Sequence, residues 1–267
     1  MSLQVLISVL NKEVRNLAQD MNLQSDALII NQCDCEEHIT YSHRGHEISC
    51  YSFSERGVGR SRNHALELAE ADICLFSDED IVFDDGYEEK VLEAFEKNPE
   101  ADVITFNFRV DERRRTYFNE KPHPIHWRNY GRYPAYAIAI RLKSIREKEI
   151  KYSLLYGGGA KYSCGEDSLF LHDCLKKGLH LFAETAILGC EQYRESTWFE
   201  GYTEKYFFDR GVLYADLYGT FAEILGFRYL LKNRTRMCKD IVFWKAFSLL
   251  RKGVKEGRSN RKNHVIL

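Results

Sequence analysis

Asp78 and Asp80 stand one residue apart in Ser77-Asp78-Glu79-Asp80, directly after the apolar run Ile73-Cys74-Leu75-Phe76. Two carboxylates so spaced in an extended segment can share one hard cation or one ribose, and their oxygens suit Mg²⁺ or Mn²⁺. A solvated acidic loop would contain the same residues, and Asp84 and Asp85 behind them fit a turn at Gly86 that caps the next helix. A second stretch, Gly57-Val58-Gly59-Arg60-Ser61-Arg62-Asn63, opens an amphipathic helix. Arg60 and Arg62 there oppose the positive end of the helix dipole unless an anion arrives, which marks a phosphate site. The third candidate is Glu166-Asp167, after Gly165 and at the start of another helix. The pair can cap that helix, or one acid can have its pKa raised by the other and act as a general base. Spacing alone leaves both open.

Other chemistry-bearing residues carry less. His123 and His126 lack a third ligand and read as surface residues. Cys33 and Cys35 form a single CxC pair, a weak zinc signal. Gly57-x-Gly59 lacks the third glycine of a dinucleotide fingerprint, which argues against a nicotinamide dehydrogenase.

These residues need elements to position them. Apolar runs at Leu3–Val9, Ala27–Ile30, Ile48–Phe53, Ile73–Phe76 and Val103–Phe108 read as strands. Helical patterns lie between several of them, at Val14–Met21, Ser61–Ala69 and Tyr87–Asn98. Such alternation predicts an α/β sheet with helices on both faces, and ligands bind such sheets at the carboxyl ends of the strands. Asp111–Pro134, with Arg113-Arg114-Arg115, three prolines and Trp127, reads as a surface excursion. Ala135–Ile140 and Leu179–Ala183 read as further strands, and a helix runs from Glu166 to Gly178. Beyond Thr197 the pattern is helical and aromatic, through Trp198, Phe199, Tyr202, Tyr206, Phe207, Tyr214 and Tyr218. That stripe suits core packing or sugar stacking. Two basic amphipathic helices follow, Phe221–Leu231 and Ile241–Val254, and the last ten residues read as disordered.

At 267 residues and 44% hydrophobic, the chain can build one large core, or one core with an appendage. No run approaches the roughly 18 apolar residues of a membrane span, and no export signal is visible at Met1-Ser2-Leu3. With eight scattered cysteines, the expectation is a reduced, cytoplasmic protein. The net charge of −2 hides an asymmetry. From Arg228 onward, 12 Lys/Arg face two acids, a local charge of +10, while the rest carries 26 bases against 38 acids. An acidic body with a basic tail suggests peripheral contact with an anionic membrane, and no nucleic-acid module is present.

In order along the chain, these motifs resemble the family 2 glycosyltransferases of the GT-A fold, and in particular bacterial capsule and surface-polysaccharide enzymes. Ser8-Val9-Leu10-Asn11-Lys12 looks like the end of the first strand, and Gly59-Arg60-Ser61-Arg62-Asn63 like the family's helix start. Asp78-Glu79-Asp80 is similar to the DxD motif. Gly157-Gly158-Gly159 with Gly165-Glu166-Asp167 resembles the glycine-rich loop and ED motif. The resemblance covers about residues 3–190 and implies a Rossmann-like, mixed but mainly parallel sheet with a C-terminal helical extension. Residues 1–195 would form the nucleotide-sugar and catalytic domain, and 196–267 the extension.

The implied activity is inverting transfer of one sugar, from a nucleotide-sugar such as a UDP-sugar to a hydroxyl of a surface glycan, lipid-linked or not. Asp80, with Asp78, would ligate Mn²⁺ or Mg²⁺. Asn11, Asp34, Arg60, Arg62, Asn63 and Asp78 would contact the donor nucleotide. Asp167 would be the general base, with Glu166 orienting the acceptor or sharing that role. Where the family often has two base-gripping acids, this chain has Asn31-Gln32-Cys33-Asp34, so Asp34 or the two amides would serve. No Gln-x-x-Arg-Trp motif of processive synthases is present, and no histidine stands at 189–194 as a metal ligand. Two rivals are a catalytically degenerate assembly scaffold and a sugar-nucleotide pyrophosphorylase. Both acid motifs argue against the first, and Leu10-Asn11-Lys12 does not resemble the phosphate loop of the second.

Overall fold

The computed structural model describes residues 1–112, 115–192 and 201–262. Its first strands are β1 (Leu3–Leu10), β2 (Asp26–Gln32), β3 (Glu37–His43), β4 (His46–Phe53) and β5 (Ile73–Asp78). Then come β6 (Ile81–Phe83), β7 (Val103–Arg109), β8 (His123–Ile125), β9 (Ile138–Arg141) and β10 (Leu181–Glu191). The helices are α1 (Leu17–Asp20), α2 (Val58–Leu68), α3 (Tyr87–Lys97), α4 (Leu142–Glu147) and α5 (Glu166–Lys176). A C-terminal set follows: α6 (Glu204–Tyr218), α7 (Ala222–Met237) and α8 (Phe243–Lys262).

The strands form one sheet in the order β3-β4-β2-β1-β5-β9-β7-β10-β6, with β8 paired to β10. β4, β2, β1 and β5 run parallel; β1, β2 and β5 are near-continuous apolar runs buried on both faces, whereas β4 alternates buried and half-exposed residues. β9 enters antiparallel to both β5 and β7, and β10 lies parallel to β7. Alternation along β1 divides the core. Val5 and Ile7 join Leu17 and Phe95 on one face, while Leu6 joins Leu66 and Phe170 on the other. The α/β reading with helices on both faces therefore holds.

Several local expectations need correction. β3 is an edge strand whose residues Glu37–His43 are half or fully exposed, so it carries little apolar signal. Its hairpin to β4 turns at Arg44-Gly45, both at positive φ as a two-residue primed turn demands. Only Leu17–Asp20 of the Val14–Met21 pattern is helical, and Ala135–Ala137 is a 3₁₀ turn before β9. The Asp111–Pro134 excursion is partly internal. Asn107 on β7 donates to the Asn119 carbonyl at 3.0 Å and accepts from its N–H at 2.8 Å, and Tyr130 and Tyr133 are buried. α8 continues to Lys262, so Arg258–Lys262 is ordered helix rather than disordered tail.

The expected domain boundary near 195, Arg113-Arg114, Trp198 and Phe199 all lie outside the described residues. The aromatic stripe that is described packs inward: Phe207 and Tyr214 are buried, and Tyr206 and Tyr229 share a 2.9 Å hydroxyl contact. α6 and α8 meet backbone to backbone. A Cβ at Gly211 would overlap the Leu250 carbonyl, and one at Gly253 the Phe208 carbonyl. No described helix is long and apolar enough to cross a membrane.

A carboxylate cluster at the strand ends

Parallel register levels the strand ends. Leu10 pairs with Gln32, Gln32 with Phe53, and Ser8 with Asp78, so Asn11, Asp34 and Asp78 sit at one edge of the sheet. This edge is the crevice where an open α/β sheet takes its ligand.

Arg62 is the centre of the site. It rises from α2 with a side chain only 5% exposed. Its Nη1 donates to Asp167 Oδ1 at 2.7 Å and lies 3.5 Å from Glu166 Oε1, while Nη2 reaches Asp78 Oδ1 at 3.2 Å. Beneath it lies the ring of Tyr152, 5.1 Å from the guanidinium carbon. One cation thus gathers three carboxylates, and the cluster keeps an excess of negative charge. Sequence reading expected Arg62 to face phosphate; the structure places it among acids.

The two acids of α5 part company here. Glu166 turns back to its own helix end, accepting from the Gly165 N–H at 2.9 Å. Asp167 reaches out, taking Arg62 with one oxygen and the Ala135 N–H with the other at 3.0 Å. Burial pushes its carboxyl up to about 7, reinforced by Glu166 and Asp78 and only partly offset by Arg62. A carboxyl titrating there is suited to proton transfer at neutral pH.

The glycine-rich loop sets this geometry. The Val58 N–H at the start of α2 donates to the Gly158 carbonyl at 2.9 Å, so the glycine-rich loop covers that helix end. Gly157 has φ +100°, and a Cβ there would press on Val58 and Glu166 at 2.6 and 2.8 Å. α6 holds the same loop from behind: Asp209 accepts from the Ser163 N–H at 2.9 Å, and Asp216 from the Tyr156 hydroxyl at 2.5 Å.

Asp80 is half-buried in the turn to β6, and its carbonyl accepts from the Gln192 N–H at 2.7 Å. Glu79 faces Lys12 at 3.5 Å, tying the β1 end to this turn. Asn11 has φ +51° and donates its N–H to the Gln32 carbonyl at 3.0 Å. Asp34 is exposed and accepts from Arg56 at 2.5 Å. Arg60, half-exposed, lies 3.8 Å from Glu55, away from the carboxylate cluster. Asn63 spends both ends of its amide on the Tyr152 backbone, at 2.7 and 3.0 Å. Asn31 likewise binds the Lys12 backbone with both ends of its amide. Gln32 differs. Its Oε1 is buried and accepts no hydrogen bond among the described residues.

Sequence reading missed Tyr152 and the Ala135 N–H, because neither lies in a motif and both reach the site through tertiary packing. A cavity of about 670 Å³ lies along the outer face of α2, lined by Arg60, His64, Tyr156, His172 and Arg261 among others. It includes none of Asp78, Asp80 or Asp167. No group of three or more His, Cys, Asp or Glu side chains among the described residues forms a metal cage.

The sequence of residues 34–155 matches the family model described as glycosyl transferase family 2. Those residues carry the family 2 glycosyltransferase signature. The match takes in Arg60, Arg62, Asp78 and Asp80 and stops short of Glu166 and Asp167. No curated protein sequence matches the chain. Among solved structures, S. aureus TarS 1–349 in complex with UDP-GlcNAc superposes with a TM-score of 0.60 at 14% identity, covering 90% of this chain and 74% of that one. Another structure of S. aureus TarS 1–349 gives 0.59 at 12% identity, covering 96% and 83%. A structure of S. aureus TarS without those residue limits gives 0.56 at 14%, covering 90% and 44%. At such identities the likeness shows the fold, which is GT-A. The family 2 resemblance read from the motifs is thereby borne out.

Proposed function

We propose that the protein transfers one sugar from a nucleotide-sugar, with a UDP-sugar as the leading donor, to a hydroxyl of a surface-glycan acceptor. The family 2 match and the GT-A fold support glycosyl transfer in general, and TarS, which shares the fold, has been captured with UDP-GlcNAc. The observation that carries the finer reading is the convergence of Asp78, Arg62 and Asp167 at the strand ends.

In this reading the nucleotide lies across the ends of β1, β2 and β5. Gln32 and Asp34, at and just beyond the end of β2, would lie on the side of the base. Asp78 contacts the ribose. Asp78 and Asp80 would supply the one or two carboxylates that Mn²⁺ or Mg²⁺ takes from a protein beside substrate phosphates. Asp80, with Asp78, would hold that cation, which when bound would neutralise charge on the departing diphosphate.

Asp167 accepts the proton of the acceptor hydroxyl. The freed oxygen attacks the anomeric carbon from the face opposite the leaving group, the bond to the diphosphate breaks, and configuration inverts. One base is enough for a single displacement. Arg62 then serves as a positioning residue, fixing Asp167 and Asp78 relative to each other. A lipid-linked acceptor and peripheral attachment to an anionic membrane belong to this reading.

A thermal-shift screen of nucleotide-sugars with and without Mn²⁺ tests it. One class of nucleotide-sugar should stabilise the wild-type protein, more strongly with Mn²⁺, and Asp80→Ala should lose the Mn²⁺ increment. A wild-type protein indifferent to every nucleotide-sugar would rule out this function.

A further inference from the structure

We infer that α7 and α8 form a membrane-docking face that seats on anionic lipid by inserting a small apolar patch ringed with cations. The inference rests on the peripheral attachment named above and adds to the basic helices an exposed apolar patch that the sequence pattern did not single out.

Exposed apolar residues are unevenly spread. Among the described residues nine large hydrophobic side chains are exposed, and five of them lie between positions 221 and 244: Phe221, Ile224, Leu231, Val242 and Trp244. Trp244 is 70% exposed, Val242 71% and Ile224 68%, values no folding core explains. Ile224, Arg228 and Leu231 are spaced four and three apart, one stripe along α7, and Phe221 caps the helix at its start. Phe227 joins that stripe to α8, with ring centroids 6.4 Å from Trp244 and 5.1 Å from Phe247. The patch is therefore continuous across both helices, on elements whose inner sides (Leu230, Leu250, Val254) are fully buried.

Charge decides the occupant. The exposed cations Arg228 and Lys232 stand within the α7 stripe, and Arg251, Lys252 and Lys255 line the shallow groove beside Trp244. Of the acids facing the groove, Glu223 is neutralised by Arg251 at 2.9 Å and Arg258 at 3.1 Å. Glu256 is turned away, toward Lys161. Asp240 is the remaining acid on this segment and is outnumbered. Lysine is depleted from protein–protein interfaces, so a second copy is the poorer fit. Aliphatic and tryptophan side chains alternating with Lys and Arg match an interfacial helix on acidic headgroups.

Co-sedimentation of the full chain with vesicles tests this. Wild type should bind phosphatidylcholine–phosphatidylglycerol vesicles, release them as salt is raised, and leave pure phosphatidylcholine vesicles unbound. Each basic residue near the surface contributes about fivefold. Arg228→Glu with Lys232→Glu should therefore weaken partitioning by about 25-fold or more. Ile224→Glu with Trp244→Glu should do the same, and both pairs are exposed enough to leave folding intact. UDP binding, measured in parallel, should be unchanged in both variants, which separates docking from the donor reading. Equal vesicle binding by wild type and both variants would overturn the inference. So would a lipid-free dimer that Ile224→Glu with Trp244→Glu abolishes, which would assign the face to a second copy.

Discussion

At the scale of single residues, Arg62 governs the site. Three carboxylates depend on this one buried cation, so Arg62→Met should leave their charge uncompensated. Removing one partner of a buried ion pair costs about 3–5 kcal/mol, and chemical denaturation should show a loss of that order. The same substitution should drive the Asp167 carboxyl further upward, since its largest favourable partner is gone. A general base must be deprotonated, and Asp167 is pushed up to about 7, so turnover should climb as pH rises toward 7 and level off above it. In Arg62→Met the rising limb should move to higher pH, and an unmoved limb would assign it to another group.

At the scale of elements, the glycine-rich loop and the two helix starts it touches act as one unit. Gly157→Ala places a methyl against Val58 and Glu166 at a φ that side chains rarely adopt. Melting temperature should fall and turnover with it, whereas Gly178→Ala, at positive φ but facing open space, should cost stability alone. The motifs were legible in the sequence because strands buried on both faces advertise themselves as apolar runs, as at Ile73–Phe76. The glycines and acids that follow such runs mark the ends. What they do to one another was not legible. Arg62 read as a phosphate ligand because its helix position was visible and its neighbours were not. Glu166 and Asp167 could not be told apart by spacing, since their difference lies in Ala135, a residue 32 positions away. β3 escaped notice because its apolar face is only Ile39 and Tyr41, half-buried on an edge strand otherwise made of polar and charged residues.

At the scale of the whole molecule, charge and function divide along the chain. The GT-A sheet carries the acids, and α6 braces the glycine-rich loop through Asp209 and Asp216. α6 is in turn clamped to α8 through Gly211 and Gly253. Gly253→Val should push these helices apart and loosen the loop. Its signature would be lost turnover together with faster proteolysis of the 156–165 loop, and unchanged proteolysis would detach the helices from catalysis. The basic asymmetry was plain from composition, yet the apolar half of the docking face was not. Ile224, Leu231 and Trp244 look like ordinary core positions of amphipathic helices until tertiary packing leaves them outside.

The central claim is that Asp167 takes the acceptor's proton while Asp78 and Asp80 serve the donor. UDP release from the best-binding UDP-sugar, measured beside donor affinity in wild type and Asp167→Asn, tests it most directly. Asparagine keeps the shape and cannot accept the proton. Release should fall by about 10²-fold or more while donor affinity changes little. Undiminished release by Asp167→Asn would contradict the assignment.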